Sequence, residues 1–120
     1  MIGDDVPVGG EIPDRVRKAV HARDNLYCRM CGANCELGGI EIHHIYFGGD
    51  TVGIGGSRVH DFNLMVSLCM TCHTRAHRFK FKWQKALMYA VSHRGVTAAQ
   101  VLRWSKRSQI NRRSKTSDAT

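Results

Sequence analysis

At 120 residues the chain is sized for one domain, and it buries so little apolar surface that a structural metal would help hold it. Its net charge of +8 points to a polyanionic partner, and the lack of any long apolar stretch excludes a membrane-spanning helix. The charge is unevenly spread: residues 62–117 hold twelve Lys or Arg and no Asp or Glu, while residues 1–61 hold nine acids against six bases. A basic run is often a solubilising face, but one this long without an acid fits a nucleic-acid footprint better. The N-terminus carries Asp4 and Asp5 and no apolar segment, so it does not read as a signal peptide. The five cysteines are therefore expected to be reduced, in a cytoplasmic location, and their paired spacing reads as metal binding.

In chain order, residues 1–12 include Gly9 and Gly10, show no periodicity and read as a flexible N-terminus. Pro13 and Asp14 suit a first helical turn, and Val16, Ala19 and Val20 recur at helical spacing, so a helix is predicted over Pro13–Arg23, ended by Asp24 and Asn25. Cys28 and Cys31 then form a Cys-x-x-Cys knuckle, with Gly32 giving the backbone freedom its turn needs. Gly38 and Gly39 mark a turn. Residues 40–46 are β-branched and alternating and predict a strand, with His43 and His44 adjacent near its end. Neighbours on a straight strand face opposite ways, so both can serve one site only if the backbone twists or bulges.

Residues 47–61, with Gly48, Gly49, Gly53, Gly55 and Gly56, predict a flexible loop, and His60 at its end reads as an ordinary loop residue. Residues 62–68 predict a short apolar strand leading into a second knuckle, Cys69 and Cys72. Beyond His77, Trp83, Leu87, Ala90 and Val91 share one helical face, and Gly95 suits a C-cap. Thr97 and Gln100 form a capping box that opens a last helix with Val101, Leu102 and Trp104 apolar. These two helices read as a hairpin packed on the core rather than a DNA-binding helix-turn-helix. The domain plan is then a flexible segment 1–12, a folded unit 13–104 and a basic polar tail 105–120.

Two Cys-x-x-Cys pairs fill a tetrahedron, so Cys28, Cys31, Cys69 and Cys72 predict a structural Zn²⁺, with Cys35 a spare thiol. His73 and His77 are four apart, and on a helix both imidazoles leave one face a turn apart, which suits one metal ion. With His43 and His44 they make four imidazoles, enough for three ligands and one base. Phosphodiester hydrolysis needs a deprotonated water and positive charge at the phosphoryl and leaving oxygens. A neutral imidazole serves the first need near neutral pH. Three imidazoles suit a borderline transition metal better than Mg²⁺.

Cys-x-x-Cys, then the Ile42–Ile45 stretch with its paired histidines, then Asn63-Leu64, then Leu68-Cys69-x-x-Cys72-His73-x-x-x-His77 resembles the HNH endonuclease family, in particular small phage-type members with a four-cysteine zinc. The resemblance covers Cys28 to His77 and implies an α+β fold with a small ββα-metal core, a four-cysteine zinc site and flanking helices. It implies that His44 is the general base, that His43, His73 and His77 hold one catalytic divalent metal (Zn, Ni, Co, Mn or Mg), and that Asn63 holds the loop and base in place. The double histidine with the His-x-x-x-His pair also resembles the colicin nucleases, which lack the knuckles. Many family members have Pro shortly after the His-Ile step, where this chain has Tyr46, Phe47 and Gly48. The activity implied is hydrolysis of double-stranded DNA, in the cytoplasm of a bacterial host if phage-encoded, in genome processing or packaging beside the phage terminase.

Two rivals stand beside this reading. Cys69, Cys72 and His73 fit a c-type haem attachment pattern, which needs export and leaves Cys28 and Cys31 unexplained. A zinc-stabilised DNA-binding module without catalysis would use the basic surface alone and make His43 and His44 incidental.

Overall fold

The computed structural model describes residues 6–45 and 59–106. It is a small α+β arrangement in which α1 (Asp14–Asp24), β1 (Ile40–His44), β2 (Met65–Cys69), α2 (Met70–Arg78) and α3 (Lys80–Ser92) follow in order, with a further helix, α4, over 98–106. Among the described residues the sheet is the antiparallel pair β1–β2, in unbroken register from Ile40 opposite Cys69 to His44 opposite Met65.

Alternation along the two strands divides the interior in two. Val66 and Leu68, with Ile45 just beyond β1, join Cys28, Cys72, Ala76, Trp83, Leu87 and Ala98 in the larger core. Ile42 and Met65 face the other way and pack on Val16 and Val20 of α1. The hairpin is thus a partition with α1 on one face and the knuckles with α2, α3 and α4 on the other.

The helix predicted over Pro13–Arg23 is Asp14–Asp24, with Pro13 as its N-cap and Asn25 closing it in the left-handed region at φ 56°. An asparagine tolerates that conformation better than most residues. On the apolar face of α3, Trp83, Leu87 and Ala90 are buried as the periodicity predicts. The capping box forms in both directions: Thr97 N–H donates to Gln100 Oε1 (2.9 Å), and Gln100 N–H donates to Thr97 Oγ1 (3.2 Å). Two more first-turn amides of α4, those of Ala98 and Ala99, donate to the carbonyls of Arg29 and Met30, so the first knuckle caps the last helix.

Three expectations are corrected. The apolar strand expected over 62–68 begins only at Met65, because Phe62–Leu64 forms a 3₁₀ turn capped by Asp61, whose side chain accepts from Asn63 N–H. Arg23 fastens that turn by donating to the Phe62 and Met65 carbonyls at 2.8 and 2.6 Å. The strand expected over 40–46 ends at His44, because the next partner, Leu64, belongs to the 3₁₀ turn, and one further in-register bond, Ile45 N–H to the Leu64 carbonyl at 2.9 Å, follows it. The segment read as a flexible N-terminus is held from Pro7 to Gly10: Val8 bridges Val59, and His60 N–H donates to the Pro7 carbonyl at 2.8 Å. Most of the glycine-rich loop (46–58) and most of the basic tail (107–120) lie outside the described residues, as do residues 1–5.

Asp24 ties the layers together. Its carboxylate, buried, accepts from Arg23 Nε and Arg29 Nη1 at 2.9 Å each, from Arg23 Nη2 at 3.0 Å and from Ser67 N–H at 2.9 Å. Arg29 in turn donates to the carbonyls of Ala90, His93 and Val96 at the end of α3. Burial pushes the Asp24 carboxyl up, but the hydrogen bonds and charge of Arg23, with the Ser67 amide, outweigh it and hold it below the usual carboxylate value. Asp24→Asn leaves two guanidiniums without their counterion and is expected to cost about 3–5 kcal/mol. A carboxyl whose folded value is depressed stabilises above its unfolded value, about 3.9, and loses that contribution as pH falls through the folded one. Urea unfolding should therefore show the full wild-type advantage at neutral pH and a narrowing gap below about pH 4. A gap that does not change with pH would contradict the assignment.

Candidate metal centres

Cys28 and Cys31 lie in a small turn closed by Cys28 N–H to the Ala33 carbonyl (2.8 Å) and Gly32 N–H to the Cys28 carbonyl (2.7 Å), with a bridge between Tyr27 and Asn34. Gly32 sits at φ 86°, a left-handed value the knuckle needs and a side chain resists. Cys69 is the N-cap of α2 and Cys72 lies in its first turn, where the helix dipole favours thiolate charge. The four sulfurs lie within 4.8 Å of one another, and Cys31 Sγ is 4.0 Å from Cys69 Sγ. Zn–S bonds of about 2.3 Å in a tetrahedron set sulfurs roughly 3.8 Å apart, so this cluster could hold a structural metal such as zinc. Burial, and then the neighbouring thiolates, push the Cys72 thiol up, a repulsion that a divalent cation would reverse. Cys35 is buried outside the four, with its Sγ 3.6 Å from the Ala33 carbonyl, and burial pushes its thiol up too.

The second cluster uses the same helix. His73 and His77 leave one face of α2, and His43 reaches them from β1, so that one nitrogen of each lies within 4.8 Å of the others. The ring centroids are 4.7–5.2 Å apart, and His73 Nε2 is 3.0 Å from His77 Nε2. Metal–nitrogen bonds of about 2.0–2.1 Å place two tetrahedral ligands roughly 3.3 Å apart, so the spacing fits three imidazoles on one ion. His43 is buried, His73 half-buried and His77 exposed, so the cluster opens to the surface. The cavity of about 610 Å³ lined by Arg23, Arg29, Arg94 and Thr97 does not include these histidines.

Glu41 is a residue the sequence reading missed. His73 Nδ1–H donates to Glu41 Oε1 at 2.8 Å, which fixes the tautomer with the Nε2 lone pair toward His77. The signal was present: Glu41 and His43 are two apart on β1 and share a face. Glu41→Gln should weaken metal binding at the histidines by about 10–100-fold and leave the cysteine cluster loaded. Titration of a transition metal into zinc-loaded protein, followed by calorimetry, would measure it, and unchanged affinity would remove Glu41 from the site.

His44 takes the other direction from β1, as alternation dictates, with no bulge in the register. Its ring is buried, and its Nε2 lies 3.0 Å from His60 Nδ1. Asn63 is exposed on the 3₁₀ turn, and its backbone N–H donates to Asp61 Oδ1 at 2.9 Å. The turn itself reaches the end of β1 beside His44, because the Leu64 carbonyl receives the Ile45 amide.

Beyond α2 the surface is basic and aromatic. Phe79 and Phe81 are exposed, Phe81 at 81%. Arg78 and Lys82 lie 5.7 and 6.0 Å from the Phe79 ring, and Lys80 lies 5.5 Å from that of Phe81. Among the described residues no helix is long and apolar enough to cross a membrane. Comparison with known proteins finds no family model, no curated relative and no solved structure that matches the chain.

Proposed function

We propose that this chain is a metal-dependent HNH-type DNA endonuclease, a ββα-metal nuclease with a structural zinc. The observation that carries the reading is the convergence of His43, His73 and His77 on one point. His44 follows His43 at the last rung of β1 and faces His60, so its service to the same site rests on the twist of the strand end rather than on a bulge. A divalent ion held by these three imidazoles would neutralise charge on the phosphoryl oxygens and the leaving oxygen. His44 takes a proton from the attacking water. Glu41 orients His73, and the 3₁₀ turn carrying Asn63 steadies the end of β1. The exposed Phe79 and Phe81 among Arg78, Lys80 and Lys82 suit a polyanion with aromatic bases, which supports DNA as the partner; the duplex form is what the motif resemblance implies.

The motif resemblance supports the same reading and extends it to a setting: phage genome processing or packaging beside a terminase, in the cytoplasm of the host. The test is nicking of supercoiled plasmid by zinc-loaded protein across Ni²⁺, Co²⁺, Mn²⁺, Zn²⁺ and Mg²⁺. Nicking that requires added metal supports the reading, and DNA binding without nicking under every metal would leave a zinc-stabilised binding module.

A further inference from the structure

His60 was expected to be an ordinary loop residue, yet its ring is buried and lies between the base and the N-terminal segment. Its Nε2 is 3.1 Å from the Gly9 carbonyl and 3.1 Å from the Gly10 carbonyl. Carbonyl oxygens only accept, so His60 Nε2 carries the proton. In the neutral ring Nδ1 is then a bare lone pair, and it lies 3.0 Å from His44 Nε2. That nitrogen must therefore be the donor, which leaves the lone pair of neutral His44 on Nδ1. Gly9 and Gly10 both sit at positive φ, 75° and 63°, where a side chain would be strained. The pairing of Val8 with Val59 and of His60 N–H with the Pro7 carbonyl holds the same segment against the ring.

We infer that His60 is a positioning residue that fixes His44 as the Nε2–H tautomer, with Nδ1 the atom that takes the proton from water. Its catalytic meaning rests on the reading of His44 as the base. The chain of contacts runs from the Gly9 and Gly10 carbonyls through His60 to His44, so the N-terminal segment is part of the site's support. A base whose tautomer is set in advance spends no part of its encounters with water in the wrong form.

Two isosteric replacements separate the halves of this contact. Asn places an amide oxygen where His60 Nδ1 stands, and Gln places an amide N–H where Nε2 stands. The full zinc-loaded chain, labelled with ¹⁵N-histidine, is read by long-range ¹H–¹⁵N correlation at a pH where the rings are neutral. The same samples are assayed for plasmid nicking. Wild type and His60→Asn should show His44 as Nε2–H. His60→Gln should show a tautomer mixture and a nicking rate lower by about 10–100-fold, with most of the rate kept in His60→Asn. Melting temperature and zinc content identify any variant that fails to fold, and wild-type protein still reports the tautomer. His44 carrying its proton on Nδ1 in wild type, or unchanged Nε2–H in folded His60→Gln, overturns the assignment. The expected tautomer pattern in a chain that nicks nothing would overturn instead the reading of His44 on which the role depends.

Discussion

Cys69→Ser should lose zinc and unfold, whereas Cys35→Ser should keep both zinc and fold. Cys69 gives one of the four clustered sulfurs and is also the N-cap of α2, so its loss strikes the metal and the start of the helix together. Cys28 and Cys72 sit inside the larger core, beside Leu68 and Ala76, so an empty cluster leaves mutually repelling thiolates where apolar packing should be. Structural zinc contributes about 10–16 kcal/mol in small domains, as much as or more than the roughly 5–15 kcal/mol by which whole domains are stable. The histidine cluster should fail as well, because His73 and His77 stand on the helix that Cys69 begins. Cys35 lies outside the four, and Ser in its place can still donate to the Ala33 carbonyl, so its cost should stay near 1 kcal/mol. Zinc released on thiol modification, together with thermal melting by circular dichroism, gives the comparison. Equal zinc loss in the two variants would put Cys35 among the ligands and refute the four assigned here.

His44→Ala should keep the fold, the zinc, the second metal and DNA affinity, yet lose about 10²–10⁴ in cleavage rate. His44 leaves β1 toward His60, while the histidine cluster lies with His43 toward α2. His43→Ala, His73→Ala and His77→Ala remove ligands, and each should weaken metal binding along with cleavage. Calorimetry for the metal and a gel shift for DNA, run beside plasmid nicking, separate the two patterns. Wild-type cutting by His44→Ala would end its role as base. Metal loss in His44→Ala with none in His43→Ala would reverse the two roles.

What could be read from the sequence was local. The spacing of Cys28 with Cys31, Cys69 with Cys72 and His73 with His77 depends only on a tight turn or one turn of helix, and the structure brings these side chains together in the two expected clusters. The Thr97–Gln100 capping box was legible for the same reason. The supports were not legible, because their partners lie far along the chain. Glu41 matters only once α2 folds back over β1 and brings His73 within 2.8 Å. His60 looks like any loop histidine until the Gly9 and Gly10 carbonyls, about fifty residues away, close on it. Arg23 lies on α1 and gives no sign in its own surroundings that it fastens the turn at Phe62, which is why that turn was read as strand. Asp24 read as a helix terminator, and it is one, but its buried carboxylate also serves two arginines and the Ser67 amide.

The most direct test of the central claim uses wild-type protein stripped of loosely held metal but keeping its tightly bound zinc. It is incubated with supercoiled plasmid, with and without each added divalent ion. Nicking that appears only on addition of metal, at a stoichiometry of one further ion per chain, is the predicted result. Intact plasmid under every ion, from protein that binds the DNA and retains its zinc, would contradict it.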